Sequence, residues 1–320
     1  MAATSATTFY QSTTDREDLT DMIGIVSADS TPILARIGKK NATNTTHSWS
    51  IYARGAAAVA TGVEGAAVTF ASSTLPTKVS NYCSLAIRPF AVSSSQEASN
   101  LAGAGSTFGF LAKEKTIQIS KDIEVTIVQS TSATGADGTA RTGSGLFEAV
   151  SSNLSTAAAV RDFDRTIHMA LMKTISDAGG NPNLIVAKNA VAIDIANWPN
   201  LIGGGAAQIS GASAVGGNNA AMVMLDPVKG VLYDGMWKRI SDPWGERDIV
   251  YDIVGIPTAT ASGGAYYLET AQLALAVLDG LHLENAAKVG PAKRAWLQTE
   301  FCLEWGQETG HGSVRQISNT

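Results

Sequence analysis

Four histidines, His47, His168, His282 and His311, are the side chains best suited to hold a metal or move a proton near neutral pH. They are scattered, and none has a second histidine or a cysteine at metal-ligand spacing. His168 falls in an apolar helical pattern, where a histidine satisfied at an interface is the expectation. Gly103, Gly105 and Gly109 in AGAGSTFG come near a dinucleotide fingerprint. That fingerprint needs a buried strand immediately before it and an acidic residue about twenty positions on. SSSQEASNL precedes it instead, so the glycines read as a hinge into a helix N-cap. The text from Arg141 to Gly145 lacks the G-x-S-x-G spacing of a nucleophile elbow, and there is no Walker loop. Acid pairs such as Asp162 with Asp164 and Glu300 with Glu304 read as solvated faces. Cys83 and Cys302 lie in separate strand-like segments and read as two buried small hydrophobes rather than a disulfide or a zinc site. The expectation is of no catalytic residue, no cofactor-binding residue and no metal ligand.

The elements that would position a site point elsewhere. Arg54 to Lys78 is a run of small residues that cannot build its own core. A loop of that length is usually disordered or functional, and the expectation is an arm that contacts a neighbouring subunit. His47–Tyr52 and Tyr82–Val92 read as its strand stems. In the second stem Cys83, Leu85 and Ile87 alternate with Ser84, Ala86 and Arg88, which predicts a half-buried strand. Before them, the polar start to about residue 18 reads as an extended arm. Leu19, Ile23 and Val26 mark a short helix that ends at Ser30-Thr31-Pro32.

After the stems, Ser106 is a candidate N-cap for an amphipathic helix of about six turns, carried by Phe108, Leu111, Ile119, Ile123 and Ile127. Residues 131–147 form a Gly/Thr-rich loop. A second helix is predicted over Ser155–Ala178, with Val160, Phe163, Ile167, Leu171 and Ile175 as its stripe and Gly179-Gly180-Asn181-Pro182 as its stop. Asn183–Val186 reads as a buried strand and Lys188–Trp198 as a short helix, followed by a flexible tract over Gly203–Asn219. Strands are predicted at Ala221–Leu225, Val231–Tyr233, Ile249–Val254, Ala265–Glu269 and Leu273–Leu278. In the last strand, Leu297, Thr299, Phe301, Leu303 and Trp305 alternate with Gln298, Glu300, Cys302 and Glu304, leaving one face wet. Trp49, Trp237, Trp244 and Trp296 fall outside these periodicities and are interface anchors or core.

Composition narrows the function classes. The 320 residues can bury a sizeable core, yet only 16% are charged, which is low for a freely soluble monomer and suggests a surface shared with neighbours. A net charge of −5 without a basic stripe argues against wrapping nucleic acid. The N-terminus lacks the basic and apolar regions of a signal peptide, and no apolar run could span a bilayer, so the expectation is cytoplasmic synthesis and no membrane partner.

The order of these pieces resembles the major capsid proteins of tailed bacteriophages, which share the HK97-type fold. The resemblance rests on Arg16–Trp49, on Val63-Glu64-Gly65, on Ser93–Ala98, on Asp122-Ile123-Glu124 and on Lys293–Val314. It implies an α+β fold with an N-terminal arm over residues 1–46 and an extended hairpin, the E-loop, with its strands over 47–92. A P-domain with a long spine helix would follow over 93–153 and an A-domain over 154–281. Residues 282–320 would return to the P-domain with the C-terminal strand.

The implied function is a structural subunit that self-assembles into an icosahedral shell around a DNA genome, without enzymatic activity. Its partners would be many copies of itself in pentamers and hexamers, with scaffolding, portal and decoration proteins, and DNA packaged without sequence-specific binding. Its place would be the virion. Lys78 stands at the base of the arm, so no crosslink through it is expected. A separate scaffolding protein and an N-terminus that keeps its first residues are also expected. An encapsulin-type compartment shell shares the fold and is the nearest alternative; a secreted adhesin or a hydrolase is the alternative from another class.

Overall fold

The computed structural model describes residues 31–55, 74–99, 105–196, 239–256 and 264–318, with a few isolated positions between 57 and 67. The short helix at Leu19–Val26, most of the arm, the Gly203–Asn219 tract, the strands at 221–225 and 231–233 and Trp237 lie outside them. In chain order the elements are β1 (Gly38–Asn41), β2 (Thr46–Ile51), β3 (Thr77–Tyr82), β4 (Ser84–Ser93), α1 (Ser94–Ala98), α2 (Thr107–Gln129), α3 (Leu146–Ala149) and β5 (Leu154–Ser155). They continue as α4 (Arg165–Asp177), β6 (Leu184–Ala187), α5 (Asn189–Ala196), β7 (Arg239–Asp242), β8 (Gly245–Tyr251), β9 (Ala265–Leu268), β10 (Leu273–Asn285), β11 (Ala292–Trp305) and β12 (Gly312–Val314). A four-stranded sheet runs β1-β10-β11-β4, a six-stranded sheet runs β5-β12-β9-β6-β8-β7, and β2 with β3 forms a separate two-stranded ribbon.

The long helix is where the sequence places it. Ser106 accepts from the Gly109 amide at 3.1 Å, and Glu97 reaches the Ser106 hydroxyl at 2.8 Å and the Phe108 amide at 3.0 Å, so side chains satisfy two free N–H groups of the first turn. Ile119, Ile123, Ile127 and Val128 are its buried stripe. This face lies on the four-stranded sheet, where Arg88 holds Asp122 through two bonds of 2.5 Å and Phe90 meets Phe108 with ring centroids 5.0 Å apart. One core joins α2 to both larger sheets through Ile127, Leu184, Tyr266, Leu273 and Phe301, among others. A second lies between α4, α5 and the six-stranded sheet, with Met172, Ile175, Ile185 and Tyr267 at its centre.

Several expectations need correction. The partner of β2 is Thr77–Tyr82, in register Thr46↔Tyr82, and not Tyr82–Val92. At Cys83 the chain changes partner, and β4 pairs with β11 from Phe301↔Ser84 to Ala292↔Ser93. The faces of β4 are also reversed: Leu85 and Ile87 are 53% and 48% exposed, while Ser84, Phe90 and Val92 are buried. Phe90 and Val92 share the parity of Ala86 and Arg88, and helix α2 packs on that side.

The second helix begins at Arg165, ten residues later than its pattern suggests. Leu154 and Ser155 pair in parallel with β12, and Arg161 exchanges backbone bonds with Gln316 and Ser318, so the C-terminal segment claims this backbone first. Its stop is as read: Gly179 takes φ 84°, and the Gly180 amide caps the Ile175 carbonyl at 2.9 Å.

Strand β11 has no continuous wet face, because Phe301, Cys302, Leu303 and Glu304 are all buried. The Gly/Thr-rich stretch 131–147 is a small hairpin closed by Ala133↔Thr142 and Ala136↔Thr139, then the turn of α3. Gly143 lies so close to the Tyr82 carbonyl that any Cβ there would collide with it. That glycine serves close backbone approach, not adaptability.

Candidate assembly surface

The ribbon β2–β3 leaves the body at a root built from buried polar side chains. Asn81 is 2% exposed; its amide nitrogen donates to the Leu303 and Ser144 carbonyls at 2.7 and 3.0 Å. Its carbonyl oxygen accepts from the Ser144 and Tyr82 amides at 2.7 and 2.8 Å. All four hydrogen-bonding positions of one amide are used, which fixes the ribbon to β11 and to the turn before α3. Glu304 binds Lys40 at 2.6 Å and His47 at 2.9 Å. Burial pushes its carboxyl up, but the hydrogen bonds from Lys40 and His47 prevail and hold it below the usual carboxylate range. Trp49 packs edge-on against Trp305, with centroids 5.0 Å apart. Arg141 donates to the Cys83 carbonyl at 2.6 Å and pairs with Glu300. Glu300 and Glu304 are therefore anchors of the root, not the solvated face that their spacing suggests.

Beyond the root the ribbon pairs with no other strand among the described residues. Every second residue of β2 is exposed, and Tyr52, Val59 and Leu75 are 51%, 92% and 79% exposed. A two-stranded ribbon is marginal in water by itself. Exposed apolar residues on an anchored base are what a surface that docks on another body presents. Leu281, Leu283 and Val289 near the turn between β10 and β11 are a further exposed apolar group. Of the tryptophans, Trp49 belongs to the root, Trp244 packs against the second core and Trp296 is half-buried with its indole N–H on Gln298 at 3.0 Å.

The residues able to do chemistry are dispersed. His47 is at the root, His282 is on β10 beside Asp279 and Glu284, and His311 is buried with its Nδ1 accepting the Glu269 amide at 3.2 Å. His168 is buried between the Tyr267 hydroxyl at 2.7 Å and Asp242 at 3.2 Å, and Asp242 also pairs with buried Arg247. Burial brings the pKa of His168 down to about 4, so the ring is neutral at pH 7. Nε2–H then donates to the Asp242 carboxylate and Nδ1 accepts from Tyr267. This network lies between α4 and the six-stranded sheet. Asp162 and Asp164 are exposed, as read. Among the described residues no three His, Cys, Asp or Glu side chains cluster as a metal site, and no helix is long and apolar enough to cross a membrane.

One buried acid does bear on the body's attachments. Glu124 in α2 accepts the Ile33 and Leu34 amides at 2.7 and 2.9 Å, capping the turn that leads into β1. Burial pushes its pKa up to about 7, with neighbouring Asp252 adding to the rise. A carboxyl with a raised folded pKa contributes stability that is full below its ordinary value of 4.5 and is lost as pH rises to about 7. That window corresponds to about 3 kcal/mol. The advantage of Glu124→Gln over the wild type in urea unfolding of the protomer should therefore be about 3 kcal/mol larger at pH 8 than at pH 4. A difference that is flat with pH would rule the shift out. Any constant offset from the amide's poorer match to two N–H donors leaves this slope intact.

A family model described as SU10 major capsid protein matches residues 2–318. No curated protein matches the chain significantly in sequence. A solved structure from Mycobacterium phage Cain is similar with a TM-score of 0.60 at 13% identity, covering 99% of this chain and 100% of that one. The capsid of a native GTA particle computed with C5 symmetry gives 0.65 at 10% identity, with 97% of each chain covered. The holo-SrpI encapsulin complex from Synechococcus elongatus PCC 7942 gives 0.57 at 7% identity, covering 94% and 93%. At these identities the likeness carries the fold, a mixed helix and sheet architecture of the HK97-like capsids.

Proposed function

This chain belongs to the SU10 major capsid protein family, and from that premise we propose how its parts build a shell. The family makes it a structural shell subunit of a tailed bacteriophage. In our reading β2–β3 is the stem of the E-loop, α2 is the spine helix of the P-domain beside the four-stranded sheet, and the six-stranded sheet with α4 and α5 is the A-domain. Residues 1–46 are the N-terminal arm, 47–92 the E-loop, 93–153 the P-domain and 154–281 the A-domain. Residues 282–320 return through β11 to the P-domain sheet. From there β12 crosses to the six-stranded sheet, tying the C-terminus to both.

One observation carries the reading: an anchored ribbon whose apolar residues Tyr52, Val59 and Leu75 are left 51%, 92% and 79% exposed. Copies in pentamers and hexamers would cover them, and contacts summed over many neighbours give a stable particle although each is small. The role is structural, as the family's description implies. Scaffolding, portal and decoration proteins and packaged DNA are the further partners of such a shell. The encapsulin reading shares the fold but not the family match.

The test is negative-stain imaging and sedimentation of the protein expressed with the scaffolding functions of its genome. Closed shells tens of nanometres across are expected, on the order of the many-subunit particles that such symmetric contacts allow. Only monomers or open aggregates under those conditions would overturn the proposal.

A further inference from the structure

The two cysteines, distant in sequence, meet in the fold. Cys83 stands where the chain passes from the arm ribbon to β4, and Cys302 lies in β11; their Sγ atoms are 3.4 Å apart. Both are free thiols and buried, at 0% and 2% exposure. Ladder pairing between β4 and β11 ends at Phe301↔Ser84, which sets Cys302 opposite Cys83 one step beyond it. Opposed residues of antiparallel strands hold their Cβ atoms about 4.5–5.5 Å apart, and a disulfide needs about 3.5–4.5 Å, so closure takes only a small approach. Cys83 lies just outside the paired strands, and the side chains around the pair are small, Ala42 and Ala276 among them. These features leave room for that approach.

We propose that Cys83 and Cys302 are a reversible oxidation site, at which a small peroxide converts the two thiols into an intrachain disulfide that fastens the arm root to β11. The order of events follows from the surroundings. The hydrogen bond with Cys302 lowers the pKa of the Cys83 thiol, and Arg141 assists, while the same bond and burial raise Cys302. Cys83 lies outside the paired strands with Arg141 on its carbonyl, while Cys302 is fixed in β11 against Ala276, and on that geometry Cys83 is the attacking thiolate and Cys302 the resolving thiol. The Cys83 sulfur attacks one peroxide oxygen and the O–O bond breaks, giving a sulfenic acid and hydroxide. Cys302 then attacks that sulfur, its proton leaves with the displaced hydroxide as water, and the S–S bond forms. In sum, two thiols and one hydrogen peroxide give one disulfide and two waters. At 0% and 2% exposure the oxidant reaches the pair through local opening at the partner change at Cys83, which admits a small peroxide more readily than a second protein's thiol.

The experiment uses the whole chain as purified protomer, exposed to hydrogen peroxide and then denatured with a thiol-alkylating reagent. Two alkylated cysteines are expected before exposure and none after it, with an intact mass lower by two hydrogens. The thiols should return on treatment with dithiothreitol, and the oxidised protomer should melt at a higher temperature than the reduced one. In Cys302→Ser the reaction should stop at a Cys83 sulfenic acid that dimedone traps; should that variant fail to fold, the wild-type thiol count still decides. Two thiols that remain alkylatable, a mass gain from oxygen without a disulfide, or a disulfide between chains on a non-reducing gel would each overturn the proposal.

Discussion

Deletion of Ala56–Thr74 is expected to leave a protomer that folds with nearly unchanged stability and forms no shells. Among the described residues no buried hydrophobic lies between Ala42 and Cys83, so the excision touches none of the described core clusters. Strand β2 ends at Ile51 and β3 begins at Thr77, so residues 52–55 and 75–76 remain as a connection within the common range of loop lengths. The register Thr46↔Tyr82 to Ile51↔Thr77 persists, because Asn81, Glu304 and Trp49 hold it from the root side. Stability should change by less than about 0.5 kcal/mol, as for surface changes away from buried features. Assembly should change completely, since the excised segment lies between the two strands of a ribbon that pairs with no other strand among the described residues. Calorimetry checks the first part and negative-stain imaging the second. Normal particles from the deletion would show that the arm is dispensable and that the contacts holding the shell lie elsewhere.

Most of Arg54–Lys78 lies outside the described residues, and what the structure gives on either side of it is the ribbon β2–β3. The long helix was legible, since a cap at Ser106 and a stripe from Phe108 to Ile127 agree at every level. What the sequence hid were decisions made by partners. Over residues 83–88 either face of β4 could be the inner one, and only Phe90 and Val92, past Pro89, reveal that the even positions meet α2. Ala157-Ala158-Ala159 is good helix text, yet the backbone around it is used by residues 313–318, a contact too distant for any local pattern to show.

The root of the candidate surface was hidden in the same way. Glu304 alternates correctly for a wet face of β11, and only the approach of Lys40 and His47 explains a buried carboxylate there. Gly143 in a Gly/Thr-rich stretch looks flexible on paper, and its true constraint, the Tyr82 carbonyl, lies on another strand. The cysteines were correctly read as buried, but their contact depends on the partner change at Cys83, which periodicity does not encode.

Asp242→Ala should be the most damaging single side-chain truncation in the six-stranded half of the molecule, costing about 3–5 kcal/mol. Arg247 is 1% exposed and its strongest partner is this carboxylate. Without it the guanidinium keeps, among the described residues, the Asn181 side chain and the Gly245 carbonyl, each at 3.3 Å, and remains a buried charge without a carboxylate between α4 and the sheet. His168 loses the acceptor for its Nε2–H at the same time. Removing both charges relieves the largest part of this, so Asp242→Ala with Arg247→Met should recover to within about 1–2 kcal/mol of the wild type. The histidine adds a pH signature. Its folded pKa of about 4 lies below the ordinary 6.5, so its contribution is present above pH 6.5 and is lost as pH falls toward 4. Asp242 is one of the groups that raise that pKa, so its removal should carry the acid-sensitive window of the variant to lower pH. Urea titrations of the unassembled protomer from about pH 2.5 to 8 read all three effects without the stabilisation that assembly adds by mass action. A single variant that loses less than about 1 kcal/mol, or a double variant as unstable as the single, would mean that solvent reaches Arg247 and that the network is not the dry, charge-balanced junction described above.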